Sequence, residues 1–139
     1  MRVERISWVG TRTARHEETR TFFAEVLGLP VAHEEPGFAA FQLPAGSHDL
    51  VEVFDVDDAE AAFMTTGPVP GFHVADVVEA RAELEAHGIE MLEEIRWLRD
   101  YDGFADAIDY AWFSFRAPDG NAYCIIQGSH PTKEQPDRS

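Results

Sequence analysis

An α+β domain made of two consecutive βαβββ modules is the fold this 139-residue chain predicts. Three observations carry the prediction. A helix closed by glycine occurs twice: Leu27-Gly28-Leu29-Pro30-Val31 returns as His87-Gly88-Ile89-Glu90-Met91, an offset of 60 residues. Each copy reads in the same order, one strand, one helix, then three short strands. The composition, 45% hydrophobic and 12% aromatic, is that of a globular domain, and the length falls in the usual single-domain range. A βαβββ unit cannot cover both faces of its own small sheet, so the two halves are expected to pair. Module one is placed at about residues 5–57 and module two at about 69–127, with a loose tail over 128–139.

The first strand is read over Arg5–Thr13, rich in Ile, Trp, Val and Thr. A helix over Arg15–Leu27 follows, opened by Thr13 as cap with Glu17 and Glu18 in its first turn. Phe22, Phe23, Val26 and Leu27 form its apolar stripe, Gly28 stops it and Pro30 forbids continuation. Strands are expected at Leu29–Glu34, Ala39–Leu43 and Leu50–Val56, separated by Pro36-Gly37 and by Pro44–His48. A connector over Asp57–Pro70 leads to the second copy. There Phe72-His73-Val74 is the strand, Asp76 the cap and Val77–His87 the helix, with Val77, Ala80 and Leu84 on one face and Gly88 as stop. Ile89–Glu93 is the next strand, and Arg96–Asp109 an acidic, aromatic loop. Tyr110–Arg116 and Asn121–Gln127 form a hairpin around Ala117-Pro118-Asp119-Gly120, where Asp-Gly is the turn signal.

Charge excludes several function classes. With 11 basic and 26 acidic side chains the formal charge is −15, and Lys133 is the sole lysine. Nucleic acids and anionic membranes need clustered Lys and Arg, so neither is an expected partner. A negative field suits a cationic or neutral small molecule, or serves solubility alone. One cysteine, Cys124, excludes an intramolecular disulfide framework. No signal-peptide pattern opens the sequence and no run of 18 apolar residues occurs, so a cytoplasmic location is expected.

Two segments resemble the vicinal oxygen chelate superfamily of glyoxalase I, bleomycin-resistance proteins and extradiol dioxygenases. Thr21-Phe22-Phe23-Ala24-Glu25-Val26-Leu27-Gly28-Leu29 is similar to the family's aromatic helix ending in Leu-Gly. Ala117-Pro118-Asp119-Gly120-Asn121 is similar to its Asp-Pro-Asp-Gly-Asn turn, with Ala117 in place of the first Asp. The resemblance covers about Arg5 to Gln127 and implies a paired, half-barrel sheet around a central cavity. It implies fold more than activity, since one scaffold hosts unrelated chemistries. Catalytic members hold a divalent metal by four side chains, one on the first and one on the last strand of each module. The matching positions here are Trp8, Glu52, Val69 and Cys124. Only Glu52 is a usual ligand, because Trp has no free lone pair and Val cannot ligate. The metal site therefore reads as dismantled, and no metal or other cofactor is expected.

Strand alternation puts Trp8, Gly10 and Arg12 on one cavity wall and Leu50, Glu52 and Phe54 on another, with His73 and Cys124 facing them. Trp8 can stack on a ring or hold a cation. Glu52 can accept from a ligand amine or act as a base, or instead pair with Arg12. The expected ligand-binding set is Trp8, Arg12, Glu52, Phe54, His73, Trp112 and Cys124. His16, on the first helix, reads as a solvated surface residue, and Cys124 as an inert buried thiol. Asp55-Val56-Asp57-Asp58 fails as a calcium loop because Glu60 stands where glycine is required. The loop Asp100–Asp109 is either an acidic lid or a solvated excursion.

These readings favour a protein that binds a small cationic or aromatic molecule without metal. The alternative is a metal-dependent lyase or dioxygenase using Glu52, His73 and Cys124, and whether the chain is an enzyme stays open. Family resemblance implies a homodimer.

Overall fold

A computed structural model describes residues 1–43, 49–65 and 67–131. The separator at residues 44–48, including His48, Thr66 of the connector and the tail beyond Pro131 lie outside the described residues. The class is the predicted one, mixed α+β, and the chain divides into two compact units. Module one spans Trp8–Pro68; module two joins Met1–Ser7 to Val69–Pro131. No described helix is long and apolar enough to cross a membrane.

Module one contains most of β1 (Arg5–Thr13), α1 (His16–Thr21), β2 (Val31–Glu35), β3 (Phe38–Gln42) and β4 (Leu50–Asp55). Its sheet runs β2-β3-β4-β1, with β1 parallel to β4 and the other pairs antiparallel. Ala39, Phe41 and Val53 form a fully buried cluster on one face, covered by Phe23, Ala24, Leu29 and Val31. Phe23 meets Phe41 edge-on at 5.8 Å, a favourable aromatic geometry.

The first helix departs from expectation. Only His16–Thr21 is α-helical, and Phe22–Val26 continues as a π turn in which the Leu27 N–H reaches back to the Phe22 carbonyl at 3.1 Å. The wider turn breaks the predicted stripe. Phe23 and Ala24 face the core, whereas Phe22, Val26 and Leu27 are 46%, 69% and 53% exposed. Thr13 does not cap as expected either; its Oγ1 accepts from Arg15 N–H at 3.0 Å, ahead of the helix.

Module two contains β5 (Val69–His73), α2 (Val77–Ala86), β6 (Glu90–Met91), β7 (Arg96–Trp97), β8 (Ala111–Arg116) and β9 (Ala122–Gln127). Its order is β5-β9-β8-β6, with β7 also on β8, and β5 runs parallel to β9 as β1 does to β4. That shared order is the structural content of the sequence repeat. Asp76 caps α2 as predicted, accepting from Val78 N–H at 2.9 Å and Glu79 N–H at 3.1 Å. Gly88, at φ +74, turns the chain out, and the Ile89 N–H bonds to the Leu84 carbonyl. Val77, Ala80 and Leu84 pack as expected, against Phe113, Phe115, Ile125 and Val74. Full burial of one such side chain contributes about 1.5–3 kcal/mol.

The predicted strand Ile89–Glu93 shortens to two residues, and a two-residue strand, β7, interrupts the predicted loop. Leu92 N–H still reaches the Ser114 carbonyl at 2.9 Å, after which Glu93 is drawn to Ser114 and Arg96 rather than along the ladder. Gly120, at φ +86, closes the predicted hairpin turn, with its N–H on the Ala117 carbonyl at 2.9 Å.

Candidate functional site

In module one the helix covers one sheet face, and the candidate residues line the other. Register places Trp8 beside Leu50, Gly10 beside Glu52 and Arg12 beside Phe54, all with the same orientation. β3 adds Phe38 opposite Phe54 and Ala40 opposite Glu52. The Phe38 and Phe54 rings lie 5.0 Å apart. Trp8, 6% exposed, lays its indole along Gly10: a Cβ there would sit 2.9 Å from Trp8 Cζ3 and 3.1 Å from Phe54 Cε2. Gly10→Ala must therefore displace both rings. It is expected to cost about 1–3 kcal/mol and to alter the near-UV dichroism of Trp8, checked by denaturant titration and spectroscopy.

Glu52 is the chemical centre of this face. It is 6% exposed, and desolvation alone pushes its carboxyl up to about 8. The alternative pairing with Arg12 does not form. Arg12 Nη2 donates to the Val56 carbonyl at 2.9 Å, while its Nε is buried without a partner. Below pH 8 Glu52 is thus a neutral acid able to donate, and a cation can draw it into the ionised form.

His16 is a correction: it is 5% exposed, not solvated, and its Nδ1 is buried without a hydrogen bond. The polar residues flanking it, Arg15, Glu17 and Glu18, face outward, while a helix of six residues turns His16 itself inward.

Module two also turns candidate residues away from its helix. Register sets Gly71 beside Cys124 and His73 beside Ile126, with Ser114 across from Cys124 and Trp112 across from Ile126. Cys124, 1% exposed, lies 3.0 Å from Ser114 Oγ. Ser114 donates its only hydroxyl proton to Glu93 Oε2, so the thiol is the donor in the second contact. Glu93 Oε1 accepts from Arg96 Nε at 2.8 Å, and this contact, together with the Tyr101 hydroxyl, pushes the guanidinium pKa up. Trp112 is half-buried between Tyr101 at 5.8 Å and Tyr110 at 5.7 Å. His73 is committed at both ring nitrogens, Nδ1 to Glu4 Oε1 at 2.8 Å and Nε2 to the Gly128 carbonyl at 2.9 Å. Both nitrogens are therefore engaged by neighbouring protein oxygens.

The Asp100–Asp109 loop is tied down at its edges. Arg99 sits over Trp97 at 4.4 Å and bonds to the Ile108 carbonyl, and the Asp109 carbonyl accepts from Gln127 Nε2 at 3.0 Å.

A divalent metal of the family kind does not fit these residues. Trp8 presents a ring at its position, Val69 an aliphatic group and Cys124 a thiol bonded to serine. Among the described residues no group of three or more His, Cys, Asp or Glu is placed to hold a metal. The Glu93–Ser114 pair escaped the sequence reading. A lone Ser on a buried strand and a Glu in an acidic run carry no spacing signal, and only the register of β8 unites them.

The sequence model described as Glyoxalase/Bleomycin resistance protein/Dioxygenase superfamily matches residues 5–125. No curated protein matches the sequence significantly. Among solved structures, the Mn(II)-bound glyoxalase from Novosphingobium aromaticivorans is 22% identical, with TM-score 0.70, over 99% of this chain and 43% of that one. Methylmalonyl-CoA epimerase from Mycobacterium tuberculosis is 19% identical, with TM-score 0.66, over 92% and 90% of the two chains. A mutant homoprotocatechuate 2,3-dioxygenase from Brevibacterium fuscum is 18% identical, with TM-score 0.67, over 95% of this chain and 34% of that one. At such identities the likeness is one of fold. With the family match over most of its length and the repeated βαβββ order, the chain belongs to the glyoxalase/bleomycin resistance protein/dioxygenase superfamily.

Proposed function

We propose that this chain binds a small aromatic or cationic molecule against the module-one face of Trp8, Glu52 and Phe54, without a metal in the contact. One observation carries the reading: Glu52 is a buried carboxyl with no hydrogen-bond partner among the described residues, set among aromatic rings, its pKa raised to about 8 by desolvation. A desolvated carboxyl resists ionisation, and a cationic guest that pairs with it offsets that cost. Trp8 and Phe54 supply stacking surface, and the chain charge of −15 favours the approach of cations. The dimer and the cytoplasmic setting belong to the same proposal.

Calorimetry with benzyltrimethylammonium, a small permanent aromatic cation, tests it. The wild type should bind at pH 7 with release of a proton as Glu52 ionises, read from the dependence of heat on buffer. It should prefer the cation at least tenfold over the neutral isostere neopentylbenzene. Glu52→Gln should abolish proton release and that preference. Equal affinity for the two compounds, or binding unchanged in Glu52→Gln, overturns the reading. So does stoichiometric metal in the purified protein that is lost in Glu52→Gln.

A further inference from the structure

Five arginines of this chain pair with acids. Arg15 pairs with Glu18, Arg20 with Glu34, Arg81 with Glu85 and Glu94, Arg96 with Glu93 and Arg116 with Glu90. Arg12 is different. Among the described residues its polar contact is Nη2 on the Val56 carbonyl at 2.9 Å, and no acidic side chain there pairs with it. Its Nε is buried and unpartnered. A guanidinium nitrogen buried without a hydrogen-bond partner is a departure that needs a physical reason. A guanidinium held by one arm on a backbone carbonyl keeps its Nε edge for a planar oxyanion, the geometry in which arginine binds carboxylates best.

Arg12 also shares its face with Glu52. It lies two residues along β1 from Gly10, and Gly10 stands directly beside Glu52. Two residues of strand span about 7 Å, the scale of one substituted aromatic ring. Phe54, beside Arg12, and Trp8, over Gly10, border the interval with rings. A half-buried guanidinium with an unpartnered Nε and a buried carboxyl with no hydrogen-bond partner among the described residues, not paired with each other, thus flank one aromatic surface.

We propose that the guest of this face is a small aromatic zwitterion, its carboxylate or similar oxyanion on the Nε edge of Arg12 and its basic nitrogen against Glu52. This rests on the binding reading above and narrows it. A simple cation uses only half of the site, and a simple acid only the other half.

Three compounds separate the halves: 4-(aminomethyl)benzoate carries both poles on one ring, benzylamine the nitrogen alone and 4-methylbenzoate the carboxylate alone. Titration calorimetry of the intact chain at pH 7 should rank the first at least tenfold tighter than either of the others. Arg12→Met should remove the advantage of 4-(aminomethyl)benzoate over benzylamine. Arg12→Lys, which keeps the charge and loses Nε, should fall between. Thermal denaturation of both variants checks that they are folded, and the wild-type ranking decides the question without them. Benzylamine binding that depends on Glu52, with no gain from the added carboxylate, overturns the zwitterion and leaves the cation-binding reading standing. No binding by any of the three overturns both.

Discussion

Glu52→Gln is expected to stabilise the protein by about 2–4 kcal/mol at pH 9 and to destabilise it by about 1–3 kcal/mol at pH 4. The sign follows from proton binding. Desolvation raises the folded carboxyl from 4.5 to about 8. Below pH 4.5 the group is protonated in both states and folding costs no ionisation. Between 4.5 and 8 the unfolded chain has lost the proton and the folded chain keeps it. Stability therefore falls as pH rises, by about 1.4 kcal/mol per unit, and levels off above pH 8. The full interval corresponds to roughly 5 kcal/mol. A buried glutamine amide retains roughly 1–3 kcal/mol of unmet hydrogen bonding, which sets the smaller net gain. Urea denaturation of both proteins at pH 4, 6, 7.5 and 9 checks this. Parallel stability curves across that range would show that Glu52 titrates normally and that its burial carries no charge cost.

The gain in stability and the loss of guest binding are then two faces of one carboxyl. A group that destabilises the unliganded fold and recovers that cost in a complex is what a binding site requires. Arg12 follows the same logic at lower cost, because one arm already rests on the Val56 carbonyl.

Legibility in the sequence divided along physical lines. The helix stops at Gly28 and Gly88, the Asp76 cap and the Asp-Gly turn were readable because each is a local requirement of backbone geometry. The common face of Trp8, Gly10, Arg12, Glu52 and Phe54 was readable because alternation has a strict period of two. The π turn was not. Phe22, Phe23, Val26 and Leu27 satisfy an α-helical stripe on paper, yet of the four it is Phe23 that packs on the core, edge-on to Phe41. His16 was misjudged for a related reason: its acidic neighbours set the expectation, and a short helix has few positions to average over. Glu93 and Ser114, 21 residues apart, meet through long-range register, which no local pattern encodes.

The same distinction yields a sharp expectation for two glycines of module two. Gly128 and Gly88 both hold positive φ, +78 and +74. An alanine at Gly88 meets nothing within 4 Å, so its cost is the backbone strain of that conformation, about 1 kcal/mol. At Gly128 a Cβ would lie 2.4 Å from the Asp109 carbonyl oxygen and 2.8 Å from its carbon, and backbone cannot step aside as a side-chain tip can. The consequences spread because Asp109 and Gly128 both hold neighbours in place. The Asp109 carbonyl accepts from Gln127 Nε2 at 3.0 Å, and Gln127 Oε1 accepts from the first N–H of α2, at Val77, at 2.9 Å. The Gly128 carbonyl accepts from His73 Nε2 at 2.9 Å. Displacing this junction loosens the start of α2 and the hold on His73 together. Gly128→Ala should therefore cost about 3–5 kcal/mol, strain plus overpacking plus lost hydrogen bonds, and lower Tm by on the order of 10 °C or more. Thermal denaturation of the two alanine variants side by side measures the difference. Equal losses at the two positions would mean that the Asp109 carbonyl yields freely and that the junction does not brace α2.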